Sequence, residues 1–210
     1  MSIASAGGVA SDLRASSGDF AALLDEQAIR RVLLRYCRGI DRLDIELVRD
    51  CYWPQATDRH GPFTGTRDEF LAWVVPLLRR HTMTMHHIGN MLIDFPADRA
   101  AEPDIAVAET YGVAYHSGPP ERDLRWNYAA GFRYVDRFER RDGTWRIADR
   151  VTAIEWVTPW DADLKRMKDF GDHLPRRDHN DPLYVTRTRA DGEGGAERTP
   201  SGGTDRRLVS

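Results

Sequence analysis

Two residues in this chain could together do proton chemistry: Asp41, closing the run YCRGID from Tyr36, and His86, inside MHHIGN from Met85 to Asn90. A carboxylate that orients and polarises an imidazole makes a general base. The pair works only if the fold brings the two runs together. His87 stands next to His86, but successive strand residues point to opposite faces. At most one of the two faces a given pocket, so they are a poor pair for chelating one metal. If the strand register slips by one, His87 takes the place of His86. No His, Cys or carboxylate spacing of a strong metal site occurs, nor a Gly-rich dinucleotide motif or phosphate loop. Cys37 and Cys51 lack a basic neighbour in sequence and read as buried thiols, neither nucleophiles nor a disulfide framework.

The element that must carry Asp41 is a helix from about Asp19 to Asp41. Ile29, Val32, Leu33, Tyr36, Cys37 and Ile40 recur at the spacing of one helical face. Gly39 weakens its last turn. A carboxylate at a helix C-terminus is disfavoured by the macrodipole, so Asp41 requires a partner there. A short helix over 45–52 follows and stops at Pro54. Residues 55–66, with Gly61-Pro62 and Gly65, read as short strands and a turn. A third helix spans about 67–79, and Pro76 bends it or ends it early. From there the character changes. Segments 83–95, 104–117, 125–140 and 144–157 are rich in Val, Ile, Thr and aromatics with partial alternation, as strands are. Asp142-Gly143 joins the last two as a hairpin, and the linker 117–121 reverses the chain. Helices first and an antiparallel meander afterwards predict an α+β fold with helices on one face of the sheet.

The chain has 210 residues, a formal net charge of −3, 41% hydrophobic and 30% charged residues. That suits one soluble domain with tails and excludes a long apolar membrane span. No basic block invites nucleic acid. The N-terminus lacks a basic segment followed by an apolar one, so a signal peptide is rejected and a cytoplasmic location expected. Residues 1–18 and 186–210 are poor in core formers and read as disordered tails. The domain proper spans 19–160. Residues 161–185 form an extension, with one short helix over 161–170, that packs on the domain or on a neighbouring subunit.

The order of elements, LLRY ending at Tyr36, GID ending at Asp41 and RRDGTWRI from Arg140 to Ile147 resemble the SnoaL-like branch of the nuclear-transport-factor-2-like superfamily. The resemblance covers about residues 20–160. Asp41 and the run from His86 through Gly89-Asn90 are similar to those of its dehydratase–dehydrochlorinase members: hexachlorocyclohexane dehydrochlorinase, bile-acid 7α-dehydratase and scytalone dehydratase. It implies a cone: a strongly curved mixed or antiparallel sheet wrapped by three N-terminal helices, a cystatin-like α+β barrel enclosing an apolar pocket. It also implies a His–Asp dyad, a pocket tyrosine at Tyr36, a pocket arginine at Arg150, and a homo-oligomer, dimer or trimer.

By composition alone, Tyr36 on the apolar helix face is as well explained by core packing as by a pocket role. Arg150 shares a face with Ala148, Thr152, Ile154 and Trp156 by strict alternation, and could either stabilise a developing anion or pair with an acid. The expectation is a lyase without cofactor or metal, acting on a small hydrophobic or polycyclic substrate. His86 abstracts the proton, Asp41 supports it, and Tyr36 and Arg150 steady the charge. The same residues could serve a ketosteroid-isomerase-like isomerase. A non-catalytic ligand-binding module, or the small subunit of a ring-hydroxylating dioxygenase, is the reading outside catalysis.

Overall fold

The computed structural model describes residues 17–119, 127–160 and 174–190. Helix α1 runs from Ser17 to Arg42. The six side chains expected on its inner face are all buried, none more than 6% exposed. Its C-terminus closes in a left-handed turn: Leu43 has φ 55, and the Asp44 amide donates to the Gly39 carbonyl at 3.0 Å. Gly39 does not cut the helix short. Its missing side chain lets α2 (Ile45–Asp50) pack closely, since a Cβ there would lie 2.6 Å from a Val48 methyl. Helix α3 (Arg67–Leu78) starts at a capping box between Thr66 and Glu69 and ends two residues after Pro76.

Six strands follow or interleave: β1 (Tyr52–His60), β2 (Phe63–Thr66), β3 (Met83–Asp94), β4 (Ile105–Ser117), β5 (Tyr128–Arg141) and β6 (Thr144–Pro159). They form one sheet in the order β2-β1-β6-β5-β4-β3. The expected antiparallel meander holds for β3 to β6. Strand β1 joins it parallel to β6, so the sheet is mixed. The Asp142-Gly143 hairpin forms with both residues at positive φ, 49 and 75, as a tight two-residue turn demands. Strands β2 and β3 lie at the two edges and do not pair with each other, so the sheet is not closed into a barrel. Of the three N-terminal helices only α1 and α3 are substantial, because α2 has 6 residues.

Strict alternation fails in β6. A register shift lies between the pairs Gly131–Trp156 and Phe132–Ile154, leaving Glu155 as the extra residue. Trp156 therefore leaves the face of Arg150, Thr152 and Ile154. It covers Gly131 on the other side, where a Cβ would meet the indole at 2.2 Å.

At the C-terminus, helix α4 spans Pro182–Ala190, crossing the expected start of a tail at residue 186. It is tied down from its own side: the Tyr184 hydroxyl donates to Asp44 at 2.9 Å, and Arg42 pairs with Asp181 at 3.2 Å. The expected helix over 161–170, most of the linker reversal and both outermost tails lie outside the described residues. Among the described residues no helix is long and apolar enough to cross a membrane.

Candidate active site

Asp41 reaches the sheet from the last turn of α1, and His86 meets it from β3. The His86 Nδ1 lies 2.7 Å from Asp41 Oδ1, and the His86 backbone N–H donates to Oδ2 at 2.9 Å. The Thr84 hydroxyl, two residues back on the same strand face, donates to Oδ1 at 3.0 Å. A carboxylate only accepts, so Nδ1 carries the hydrogen and Nε2 keeps its lone pair. That is the arrangement of an oriented general base. The two side chains are 12% and 8% exposed, dry enough to strengthen the pair and open enough to be reached.

The ring of His86 lines a cavity of about 220 Å³ between the sheet, α1 and α3. Ile40, Trp73, Val74, Leu77 and Leu78 supply its apolar helical wall. On the sheet side, Ala114, Ala130 and Val157 lie in one row across β4, β5 and β6 from His86. Ala130, which lines the cavity, keeps its floor low. His87 lies on the opposite face of the sheet, in a groove with Tyr111 and Trp156, so the register puts His86 and not His87 inside.

Tyr36 also lines the cavity, though it is 1% exposed. It stands edge-on against Tyr52 and Tyr134, with ring centroids 5.8 and 5.6 Å away. Burial pushes its phenol well above the ordinary range, so it remains a neutral donor. Arg150 is placed differently from the pocket arginine that the resemblance implies. It is 0% exposed and is not among the cavity-lining residues. Its guanidinium makes a two-pronged bond to Asp136, 2.7 Å at both Nε and Nη2, and donates to the Tyr52 hydroxyl at 3.3 Å. It lies 4.2 Å over the Tyr36 ring and 3.9 Å over that of Tyr134. The geometry brings His86 and Tyr36 to one cavity, with Asp41 behind the histidine and Arg150 behind the tyrosine.

The sequence reading missed polar residues around the site, among them Arg177, His116 and His60. Arg177, from the irregular segment before α4, donates to the carbonyls of Asp41 (3.1 Å), Ile40 (3.4 Å), Leu78 and His81 (2.7 Å each). It also donates to the Thr84 hydroxyl at 3.2 Å. One cation thus serves the C-terminal carbonyls of α1 and α3 and answers the unfavourable position of Asp41. Burial lowers its pKa to about 10, partly offset by Asp41. His116 on β4 stacks on Tyr128 at 4.4 Å and is pushed down to about 2, first by burial and then by His86. It is neutral wherever the protein is folded at ordinary pH. His60 lines the cavity from β1. Pairing of β3 with β4 would have revealed His116, which lies two residues from the partner of His86. Nothing local marks Arg177. Cys37 and Cys51 are buried, with thiols pushed up to about 12 by burial, which removes them as nucleophiles. Among the described residues no group of three or more His, Cys, Asp or Glu is arranged to hold a metal ion.

A six-stranded mixed sheet covered by N-terminal helices is the frame of the nuclear-transport-factor-2-like fold. The profile of the SnoaL-like domain matches residues 21–151, and the chain belongs to that family. Solved structures of similar fold include a protein of Novosphingobium aromaticivorans provisionally named a scytalone dehydratase. It is 21% identical, with a TM-score of 0.58 over 68% of this chain and 92% of that one. A hexachlorocyclohexane dehydrochlorinase of Novosphingobium barchaimii is 18% identical, with a TM-score of 0.56 over 69% and 95%. A Nostoc punctiforme protein of unknown function with a cystatin-like fold is 17% identical, with a TM-score of 0.51 over 63% and 92%. At these identities the likeness is one of fold. A sequence search of curated proteins gives no match.

Proposed function

We propose that the protein is a cofactor-independent lyase of the dehydratase type, with His86 as the base and Asp41 as its supporting carboxylate. The reading rests on one observation: the Asp41–His86 hydrogen bond of 2.7 Å with the ring lining a largely apolar cavity. Nε2 of His86 takes a proton from a substrate carbon. The electron pair of that C–H bond becomes the new double bond, and a leaving group departs from the adjacent carbon. The imidazolium that forms keeps its Nδ1–H on Asp41, which stabilises the positive charge and returns the ring to its starting tautomer when Nε2 releases the proton to water. Tyr36 stays a phenol and donates toward charge that develops on a substrate oxygen.

The cavity bounds the substrate. At about 220 Å³ it lies below the usual range of ligand pockets, roughly 300–1,000 Å³. It fits a compound of one or two rings better than a polycyclic one. The test is a screen of hydroxylated monocyclic, monoterpenoid and polycyclic compounds with the purified protein, read by mass. Loss of water from a one- or two-ring compound is the expected result. A product of unchanged mass would replace the lyase reading with that of an isomerase.

A further inference from the structure

The cavity holds a second histidine backed by a buried acid, on the flank away from His86. His86 stands on edge strand β3, and His60 on β1, with β4, β5 and β6 between them. Both side chains line the same cavity. The His60 ring is held face-on against Phe70, with centroids 5.6 Å apart and planes 28° apart, and tilted against Trp73 at 6.0 Å. Its Nδ1 lies 3.0 Å from the Thr152 hydroxyl and 3.7 Å from Asp58 Oδ1. Asp58 is 0% exposed. Its Oδ2 accepts from the Tyr52 hydroxyl at 2.8 Å, while its Oδ1 is buried without a hydrogen-bond partner among the described residues. A fully buried carboxylate oxygen in that state is costly. The His60 imidazole, 3.7 Å away, is the ionisable partner the structure gives that oxygen. The two histidines therefore differ in role. Nδ1 of His86 is committed to Asp41 and its Nε2 is free to accept. His60 has Thr152 and Asp58 at Nδ1, which leaves Nε2 as the nitrogen to act on a ligand.

We propose that His60 is the general acid of this cavity and that the substrate is a small alicyclic compound with a hydroxyl β to a carbonyl. The inference rests on the lyase reading above and specifies it. Imidazole is a weak base, so the C–H it removes must be acidified by an adjacent carbonyl. Hydroxide is a poor leaving group and departs only when it receives a proton, whereas chloride needs none. A second histidine in the same cavity that can give a proton is thus of use to a dehydratase and idle in a dehydrochlorinase. In the step, the C–H bond breaks with its proton going to His86 Nε2. Its electron pair forms the C=C bond, and the C–O bond breaks as His60 delivers its proton to the departing oxygen. Water leaves, His86 returns its proton to solvent and His60 takes one up, so the protein ends as it began.

The test uses a matched pair of probes, β-hydroxycyclohexanone and β-chlorocyclohexanone, which both give cyclohexenone. Rates are read by absorbance above the uncatalysed background. His60→Gln is expected to slow the hydroxy ketone by about 10²-fold, within the range of general acid catalysis, and the chloro ketone by less than about threefold. Asp58→Asn, which keeps volume and the bond from Tyr52, shows the same selectivity with a smaller loss and guards against a packing effect of the His60 change. His86→Ala lowers both rates alike, because both need the base. Equal losses on the two probes in His60→Gln, or no loss on the hydroxy ketone, overturn the inference while leaving the dyad in place. A wild-type protein that acts on the chloro ketone alone, or on neither probe, also overturns it, and the lyase reading then stands or falls on the wider screen.

Discussion

Two carboxylates in this molecule look alike by distance and differ in everything that follows. Asp41 and Asp136 each lie 2.7 Å from a nitrogen partner, and both are nearly withdrawn from water. Asp41 faces a histidine that lines a cavity; Asp136 faces an arginine sealed beneath three tyrosine rings. Imidazole can give and take a proton at Nε2 while Nδ1 stays bonded. Guanidinium keeps its charge at any pH the protein survives. The first pair can therefore do work on a ligand. The second is a fixed charge pair that orders Tyr36 and Tyr52. The difference lies in the partner's chemistry and in access, and hydrogen-bond length says nothing of it.

The largest effects should separate the two pairs cleanly. His86→Ala is expected to lower turnover by about 10²–10⁴-fold with little change in stability. Arg150→Met should do the reverse, destabilising the fold by about 3–5 kcal/mol because Asp136 is left buried and unpaired. Urea unfolding of both variants beside their turnover checks the contrast. A stable Arg150→Met protein with the turnover defect of His86→Ala would return Arg150 to the site and break the comparison.

This contrast also marks what the sequence could tell. Helical periodicity placed Asp41 at the inner edge of α1, and the strand-like run put His86 and His87 on opposite faces. Those are local signals, and the fold follows them; that the two runs meet was implied only by the family resemblance. The role of Arg150 rested on strict alternation and on a motif match. Alternation could not show Asp136 beside it, since that pairing depends on the β5–β6 register. Nor could it show the bulge at Glu155 that turns Trp156 away. The parallel β1–β6 pairing is equally non-local, and it alone brings His60 beside Thr152. Arg177 is the extreme case. It lies 136 residues from Asp41 in an aperiodic segment, and its importance is visible only where two helix ends converge.

A smaller effect tests the support behind the dyad. Arg177→Met leaves the carbonyls at the ends of α1 and α3 without their donor. A loss of about 1–3 kcal/mol is expected, together with a fall in turnover that Arg177→Lys restores in part. Unfolding and kinetics of the two variants, run together, check it. A change in stability with unaltered turnover in Arg177→Met would confine this residue to the fold.

A last effect is a slope, confined to acid pH. His116 is held near 2 in the folded protein against an ordinary 6.5. Between those values the unfolded chain binds a proton that the folded chain refuses. The associated stability is present above about pH 6.5 and is lost as pH falls toward 2, by at most about 1.4 kcal/mol per pH unit. His116→Gln should flatten that part of the stability–pH curve. An unchanged slope would mean that His116 finds a proton acceptor in the folded state.

The central claim is that an imidazole at position 86, held by Asp41, removes the proton. Chemical rescue tests it most directly. His86→Ala leaves a ring-sized space beside Asp41 and open to the cavity. On a compound that the wild-type protein dehydrates, the variant should be nearly inactive and should regain turnover in proportion to added imidazole. Near-normal turnover of His86→Ala with no imidazole present would contradict the account.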